Sequence, residues 1–256
     1  MKLLLLPAFF CSMWFVASAS LAEDAETPAT VMTRPDSLLF SDDFSTDVLT
    51  EGPWRQTWSG SKVADGELVA SQAPDADHGA VLERLVDFRD VVIRFSFQFD
   101  GSTRFNVPID DKKYKESHAG HICRLSITPK SILLGDDREG VMRNDIFAMR
   151  RSGDPADKAK SDELLKGRNV TVPADLKKGT WYTITLEILG DEMLVSLDDE
   201  PIGYLQSPGI AHETKTDLGF TVVGSSVRFD NISAWSVKAA SPDWEEKRSE
   251  ILTAIR

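Results

Sequence analysis

Cysteine is scarce in this chain. There are two, Cys11 and Cys123, and Cys11 lies in an apolar N-terminal run. The rest of the chain carries one thiol and cannot close an internal disulfide, even in an oxidising compartment. A packed core must therefore supply the stability, and a chain of this length is long enough to build one. Positive charge is also short: 29 Lys and Arg stand against 41 Asp and Glu, a formal net charge of −12. That balance argues against nucleic acid as a partner, which needs basic patches, and against an anionic membrane surface or a polyanionic substrate as the main partner. Beyond the N-terminal run, no stretch is long and apolar enough to span a bilayer. Internal repeats and low-complexity tracts are absent as well.

The N-terminus itself, MKLLLLPAFFCSMWFVASASLA, has one lysine, an apolar run and then small residues. This is the three-part pattern of a secretory signal peptide, with cleavage expected after Ala22 or Ala19. Phe9 and Phe10 stand before Cys11 where a lipoprotein signal would want small residues. The expectation is a secreted or periplasmic protein with signal peptide 1–22. Residues 23–37, polar and proline-containing, read as a linker.

From 38 to 240 the pattern is mostly β. In DVVIRFSFQFD, Val91, Ile93, Phe95, Phe97 and Phe99 alternate with Val92, Arg94, Ser96, Gln98 and Asp100, the period of a strand with one buried face. TWYTITLEILGDEMLVSLDDEPIGYL reads as three strands turning at Gly190-Asp191 and at 198–201. Further hairpins are expected around Asp65-Gly66 and Gly224-Ser225-Ser226. Two segments break the pattern. Residues 154–167 read as a short polar helix inserted in a loop. Residues 241–256 read as a C-terminal helix with Ser241 as cap, Pro242 at its first position, and Trp244, Ile251 and Ile255 as a docking edge. The expected fold is an all-β jelly-roll sandwich with a short inserted helix and a C-terminal helix.

Several segments in order, SDDFSTD, VADGELVAS, GTWYTITLEILGDEMLVSLDDEPI, SPGIAHETK and VRFDNISAW, carry a resemblance. Across roughly residues 38–237 the chain resembles the concanavalin A-like lectin/glucanase sandwiches. More narrowly, it is similar to secreted bacterial 3-keto-disaccharide hydrolase domains, which are family 16 glycoside hydrolase-like. The resemblance implies a carbohydrate partner held in the concave face of the sandwich. Two departures accompany it. The E-x-D-x-E strand of family 16 glucanases, whose glutamates sit about 5 Å apart for retaining hydrolysis, is missing; the nearest carboxylates, Glu187, Asp191 and Glu192, straddle a turn. An NSG stretch ahead of an acidic sugar-facing strand is also missing.

The polar positions of three strands suit sugar hydroxyls: Arg94, Ser96 and Gln98; Arg124, Ser126 and Thr128; Thr183, Thr185 and Glu187, with Trp181 as an aromatic platform. The alternative is an ordinary solvated sheet face. His121 is the first candidate acid/base, and His212, in a loop with Glu213 and Lys215, the second. Glu187 is the candidate carboxylate, and Lys215 a candidate substrate contact. His118 and His121, with His78 or His212, would make a zinc site only if Ala119-Gly120 turns. Cys123 alternates with apolar residues and reads as buried. No cofactor is required. Asp43 and Asp230, from the two ends of the domain, could hold a structural Ca²⁺, or could simply cap turns. Three readings follow: a glycoside-binding or glycoside-cleaving enzyme, a non-catalytic lectin- or LamG-type module, and a structural envelope protein. Oligomeric state has no signal in the sequence.

Overall fold

A computed structural model describes residues 26–50 and 52–255. The expected signal peptide, 1–22, lies outside them. Fifteen strands and three helices follow in chain order: β1 (Thr33–Asp42), β2 (Trp54–Thr57), β3 (Lys62–Ala64), β4 (Glu67–Ala70), β5 (Ala80–Phe88), β6 (Val91–Phe99), β7 (Arg104–Asp110), β8 (His121–Thr128), β9 (Ser131–Asp136), α1 (Asn144–Arg151), α2 (Pro155–Leu164), β10 (Asn169–Pro173), β11 (Trp181–Leu189), β12 (Glu192–Leu197), β13 (Glu200–Gln206), β14 (Lys215–Val223), β15 (Val227–Ala240) and α3 (Trp244–Ala254).

The strands make two antiparallel sheets. The eight-stranded sheet runs β13-β12-β11-β6-β15-β4-β3, with β1 also paired to β15. The seven-stranded sheet runs β10-β9-β8-β7-β14-β5-β2. This is the expected all-β, concanavalin A-like jelly roll. The alternation in β6 aims Phe95, Phe97 and Phe99 into the space between the sheets, where they meet Phe105, Phe220 and Phe229, all buried. Phe95 meets Phe220 edge-on at 5.2 Å between ring centroids, and Phe105 meets Phe229 at 5.1 Å. Burying each such ring contributes about 1.5–3 kcal/mol.

Three expectations are corrected. The segment expected to be linker, 23–37, already enters the sheet at Thr33: β1 pairs with β15 from Thr33↔Ala240 to Asp42↔Ile232. The turn at Gly224–Ser226 does not close a hairpin. β14 belongs to the seven-stranded sheet and β15 to the eight-stranded one. The chain crosses the core there, so Phe220 and Phe229 face each other at 4.9 Å instead of lying side by side. The C-terminal helix starts at Trp244 with Asp243, not Ser241, in the cap position.

The inserted helix forms over Pro155–Leu164, capped by Asp154, whose side chain accepts from the Ala156 amide at 2.8 Å. A second helix, α1, precedes it and had no sequence signal, because Ile146 is its one buried residue. At the other end of the chain, Trp244 of α3 buries against Met32 and Leu194, with Ile251 beside them. The outer face of the eight-stranded sheet is closed over at that end.

Candidate functional site

The outer face of a sheet is set by strand alternation. On β6 and β11, Arg94, Gln98, Trp181 and Glu187 alternate with core residues, so they lie on the outer face of the eight-stranded sheet. On β8, Arg124 and Ser126 alternate with Cys123, Leu125 and Ile127, so they lie on the outer face of the other sheet. The expected sugar face is thereby split across the two sides of the sandwich. The same period-two pattern arises in both sheets, and it does not say which sheet a strand joins.

Several of these side chains have other work. Glu187 is buried and accepts from the amides of Val31, Met32 and Thr33 at 2.9, 2.9 and 2.7 Å, and from the Thr33 hydroxyl at 2.7 Å. It anchors the start of β1 and reaches no solvent, which removes it as a catalytic carboxylate. Burial raises its pKa, and those hydrogen bonds oppose the rise. Lys215 is fully buried, and its Nζ donates to the carbonyls of Arg89 and His212 at 2.6 and 2.9 Å. It cannot touch a substrate, and burial lowers its pKa. Arg94 is held by Thr185 and Asp199. Trp181 is partly exposed beside Gln98 on that same sheet.

Asp43 and Asp230 each cap their own turn, through the amides of Ser45 and Asn231. Burial, then the charges of Glu67 and Asp43, push the Asp230 carboxyl upward, so the two ends of the domain do meet there.

The seven-stranded sheet carries the dense chemistry. Cross-strand pairing sets Asp217 opposite Asp110, and Asp110 opposite His121. His121 Nδ1 lies 2.6 Å from Asp110 Oδ1. The neighbouring carboxylate, Asp111, takes His212 Nε2 at 2.9 Å and the Thr214 hydroxyl at 2.8 Å. One Asp-Asp pair therefore orients both candidate histidines. The Ala119-Gly120 turn does form, with φ of 56° and 80°. At Gly120 a side chain would collide with the Asp111 carbonyl, so glycine is required both for φ and for space. This turn delivers His121 to Asp110. His118 stacks on Phe147 of α1 at 4.1 Å.

The zinc set does not assemble, because His78 stacks on Trp58 and His212 is spent on Asp111. Among the described residues, the only three metal-competent side chains with ligand atoms within 4.8 Å of one another are Glu83, Asp110 and Asp217. Lys112 Nζ already sits among them, 2.7 Å from Glu83, 3.2 Å from Asp110 and 3.7 Å from Asp217. Asp217 is fully buried, neither of its oxygens has a hydrogen-bond partner, and desolvation pushes its carboxyl up to about 7. Such burial keeps Asp217 from touching a substrate directly.

Toward the α1–α2 side, Arg124 Nη2 lies 2.7 Å from Asp137 Oδ1. Asp137 is buried, and desolvation raises its pKa against the opposing charges of Arg124 and His121. It also lines a cavity of about 350 Å³. Arg104, Asn106, Arg124, Ser126, Leu133 and Gly135 form the floor, and Val141, Arg150, Leu165 and Arg168 form the wall. That volume is at the lower end of small-molecule sites. Sequence reasoning reached Arg124 and Ser126. It missed Arg104, Asn106 and Arg168, whose only signal is their alternation or placement beside strands not yet assigned to a sheet.

No protein-family model matches the chain, and no curated protein does. Solved structures do. The laminarinase from Rhodothermus marinus aligns with TM-score 0.56 at 9% identity, over 79% of this chain and 98% of that one. An endo-β-1,3-glucanase from Pyrococcus furiosus gives 0.53 at 9% identity, over 82% and 100%. A sialidase gives 0.53 at 12% identity, covering 80% of this chain, which spans 18% of that protein's length. These likenesses confirm the concanavalin A-like sandwich.

Proposed function

We propose that this protein binds a glycoside in the cavity between the outer face of the seven-stranded sheet and the α1–α2 insertion, and that His121 serves there as acid or base. The observation that carries the reading is three features gathered around β8, which His121 opens and whose Arg124 and Ser126 line the cavity; His121 itself is not one of the lining residues. One is a polar cavity floored by strand side chains. The second is a histidine whose Nδ1 is fixed by a buried carboxylate. The third is the Arg124–Asp137 pair, in which a buried carboxylate positions the guanidinium of Arg124 at the cavity. Fold likeness to laminarinase and endo-glucanase sandwiches supports a carbohydrate partner. The chemistry differs from that of retaining glucanases, since the E-x-D-x-E strand is missing and the cavity side of the sheet offers a His–Asp pair and an Arg–Asp pair instead. Hydrolysis of a 3-keto-disaccharide, where proton transfer matters more than a carboxylate nucleophile, is the finer reading. The N-terminal leader pattern supports action outside the cytoplasm; intact-mass measurement of the exported protein would locate the cleavage.

The experiment is incubation of the protein with disaccharides, their 3-keto forms and polysaccharide fragments, following products by mass spectrometry. Product from one class, lost in His121→Ala with binding retained, supports the enzyme. Binding without product from any member supports the second reading, a non-catalytic glycan module using the same cavity. Arg124→Ala that leaves both binding and turnover intact refutes the cavity. A structural Ca²⁺ between Asp43 and Asp230 belongs to the same proposal, and a melting temperature unchanged by chelator and by added Ca²⁺ would remove it.

A further inference from the structure

The cavity has the wrong charge for its protein. The chain is acidic, at −12. The cavity nevertheless gathers Arg104, Arg124, Arg150 and Arg168 against Asp136 and Asp137. Asp136 has no free valence for a ligand: its oxygens accept from Ser207 Oγ and from the amides of Gly209 and Glu139, both at 2.9 Å. Asp137 Oδ1 lies 2.7 Å from Arg124 Nη2, but neither of its buried oxygens makes a hydrogen bond, so Arg124 is the guanidinium that offsets this carboxylate. Arg150 pairs with Asp162 at 3.1 Å on an exposed surface, a contact that water readily replaces. Among the described residues, Arg104 and Arg168 have no carboxylate within 4.0 Å. Arg168 donates through Nη1 to Ser207 Oγ at 3.1 Å, while its buried Nε has no acceptor at all. The unpartnered Nε is closed to solvent and costs free energy where it is, so the terminal nitrogens of Arg168 are the ones that can meet a ligand oxygen.

We propose that the cavity selects a sugar bearing an oxyanion, a carboxylate or a sulfate ester, with Arg104 and Arg168 on the anionic group and Asn106, Arg124 and Ser126 on the ring hydroxyls. Planar guanidinium forks match both oxyanions, and two forks without carboxylate partners lining one half-open cavity make a positive site on an acidic protein. This rests on the glycan reading above and names its substrate class.

The test is calorimetric binding of matched oligosaccharides: neutral laminari-oligosaccharides, oligogalacturonates and sulfated galactan oligosaccharides, with inorganic sulfate as control. Wild type is compared with Arg104→Gln and with the Arg104→Gln/Arg168→Gln double variant, each checked for native circular dichroism and melting. The expected result is acidic over neutral binding by at least about tenfold. That preference should weaken between about 20 mM and about 500 mM salt and vanish in the double variant, the ratio of acidic to neutral affinity falling to about one. The uronate and sulfate arms identify which oxyanion is preferred. Neutral glycans bound as well as acidic ones would overturn the selection and leave the glycan reading standing. No glycan bound by any protein would overturn both, as would inorganic sulfate bound as tightly as any acidic sugar. Should the double variant misfold, the single exposed-residue change Arg104→Gln still decides, since it must lower acidic binding by a larger factor than neutral binding.

Discussion

Asp217→Asn should make this protein more resistant to unfolding at alkaline pH than the natural chain, relative to their difference in acid. Asp217 lies fully buried beside Glu83 and Asp110, with Lys112 Nζ at 3.7 Å as its nearest cation. Its carboxyl is pushed from the usual 3.8 up to about 7, by desolvation first and by the two neighbouring carboxylates after. The unfolded chain gives up this proton near the ordinary value and the native state keeps it until about 7. Native protein thus binds the extra proton between those limits, and stability falls as pH rises through that window. A rise from 3.8 to about 7 corresponds to about 4 kcal/mol. Asparagine has no proton to lose. Guanidinium unfolding of both proteins at steps between about pH 4 and about pH 8.5 gives two stability curves. Their difference cancels every other titration, and any fixed cost of the amide enters as a constant. The expected difference changes by about 4 kcal/mol in favour of the asparagine variant across the window, and is flat above it. A difference constant within about 1 kcal/mol over the whole range would refute the reasoning and show that Lys112 fully compensates the buried charge.

Further outcomes follow from the same geometry. Glu187→Gln places an amide against three backbone donors and a hydroxyl, and should cost about 3 kcal/mol; hydrogen exchange at residues 31–33 should rise first. Gly209→Ala drives a methyl group into the Asp136 carboxylate. It should cost about 1–3 kcal/mol in thermal unfolding and loosen the cavity wall. Cys123 is buried, and desolvation pushes its thiol far above the ordinary range. A thiol reagent should leave it unmodified in native protein and titrate it once denatured; rapid native labelling would contradict the packing of β8.

The sandwich was legible because its strands are long and strictly alternating. DVVIRFSFQFD and TWYTITLEIL could hardly be anything but half-buried strands, and Trp244 and Ile251 marked the docking edge of α3. The assignment of strands to sheets was not legible. Arg94 and Arg124 occupy equivalent positions in their own strands, and only the long-range pairings of β6 with β15 and of β8 with β7 send them to opposite sides. Glu187 misled for a related reason: alternation placed it facing outward, and nothing local showed that residues 31–33 would come back over it. His121 was readable as a candidate because a histidine opening a strand after a glycine turn is conspicuous. Its partner Asp110 was not, since the bulge between Ile109 and Asp110 that brings them together leaves no local mark.

The fourteen residues of β15 serve three neighbours: β6 along one edge, and β4 then β1 in tandem along the other. An interior strand of the larger sheet is thus the last strand in chain order among the described residues. Until it is made, β6 with β11, β12 and β13 forms one incomplete fragment, β3 with β4 another, and β1 has no partner. Nearly the whole chain must be available before the sheet can close, and the closing contacts join residues some 199 positions apart. Sheet closure by contacts this distant in sequence is slow. The larger sheet therefore closes only when β15 enters between β6 on one side and β4 with β1 on the other.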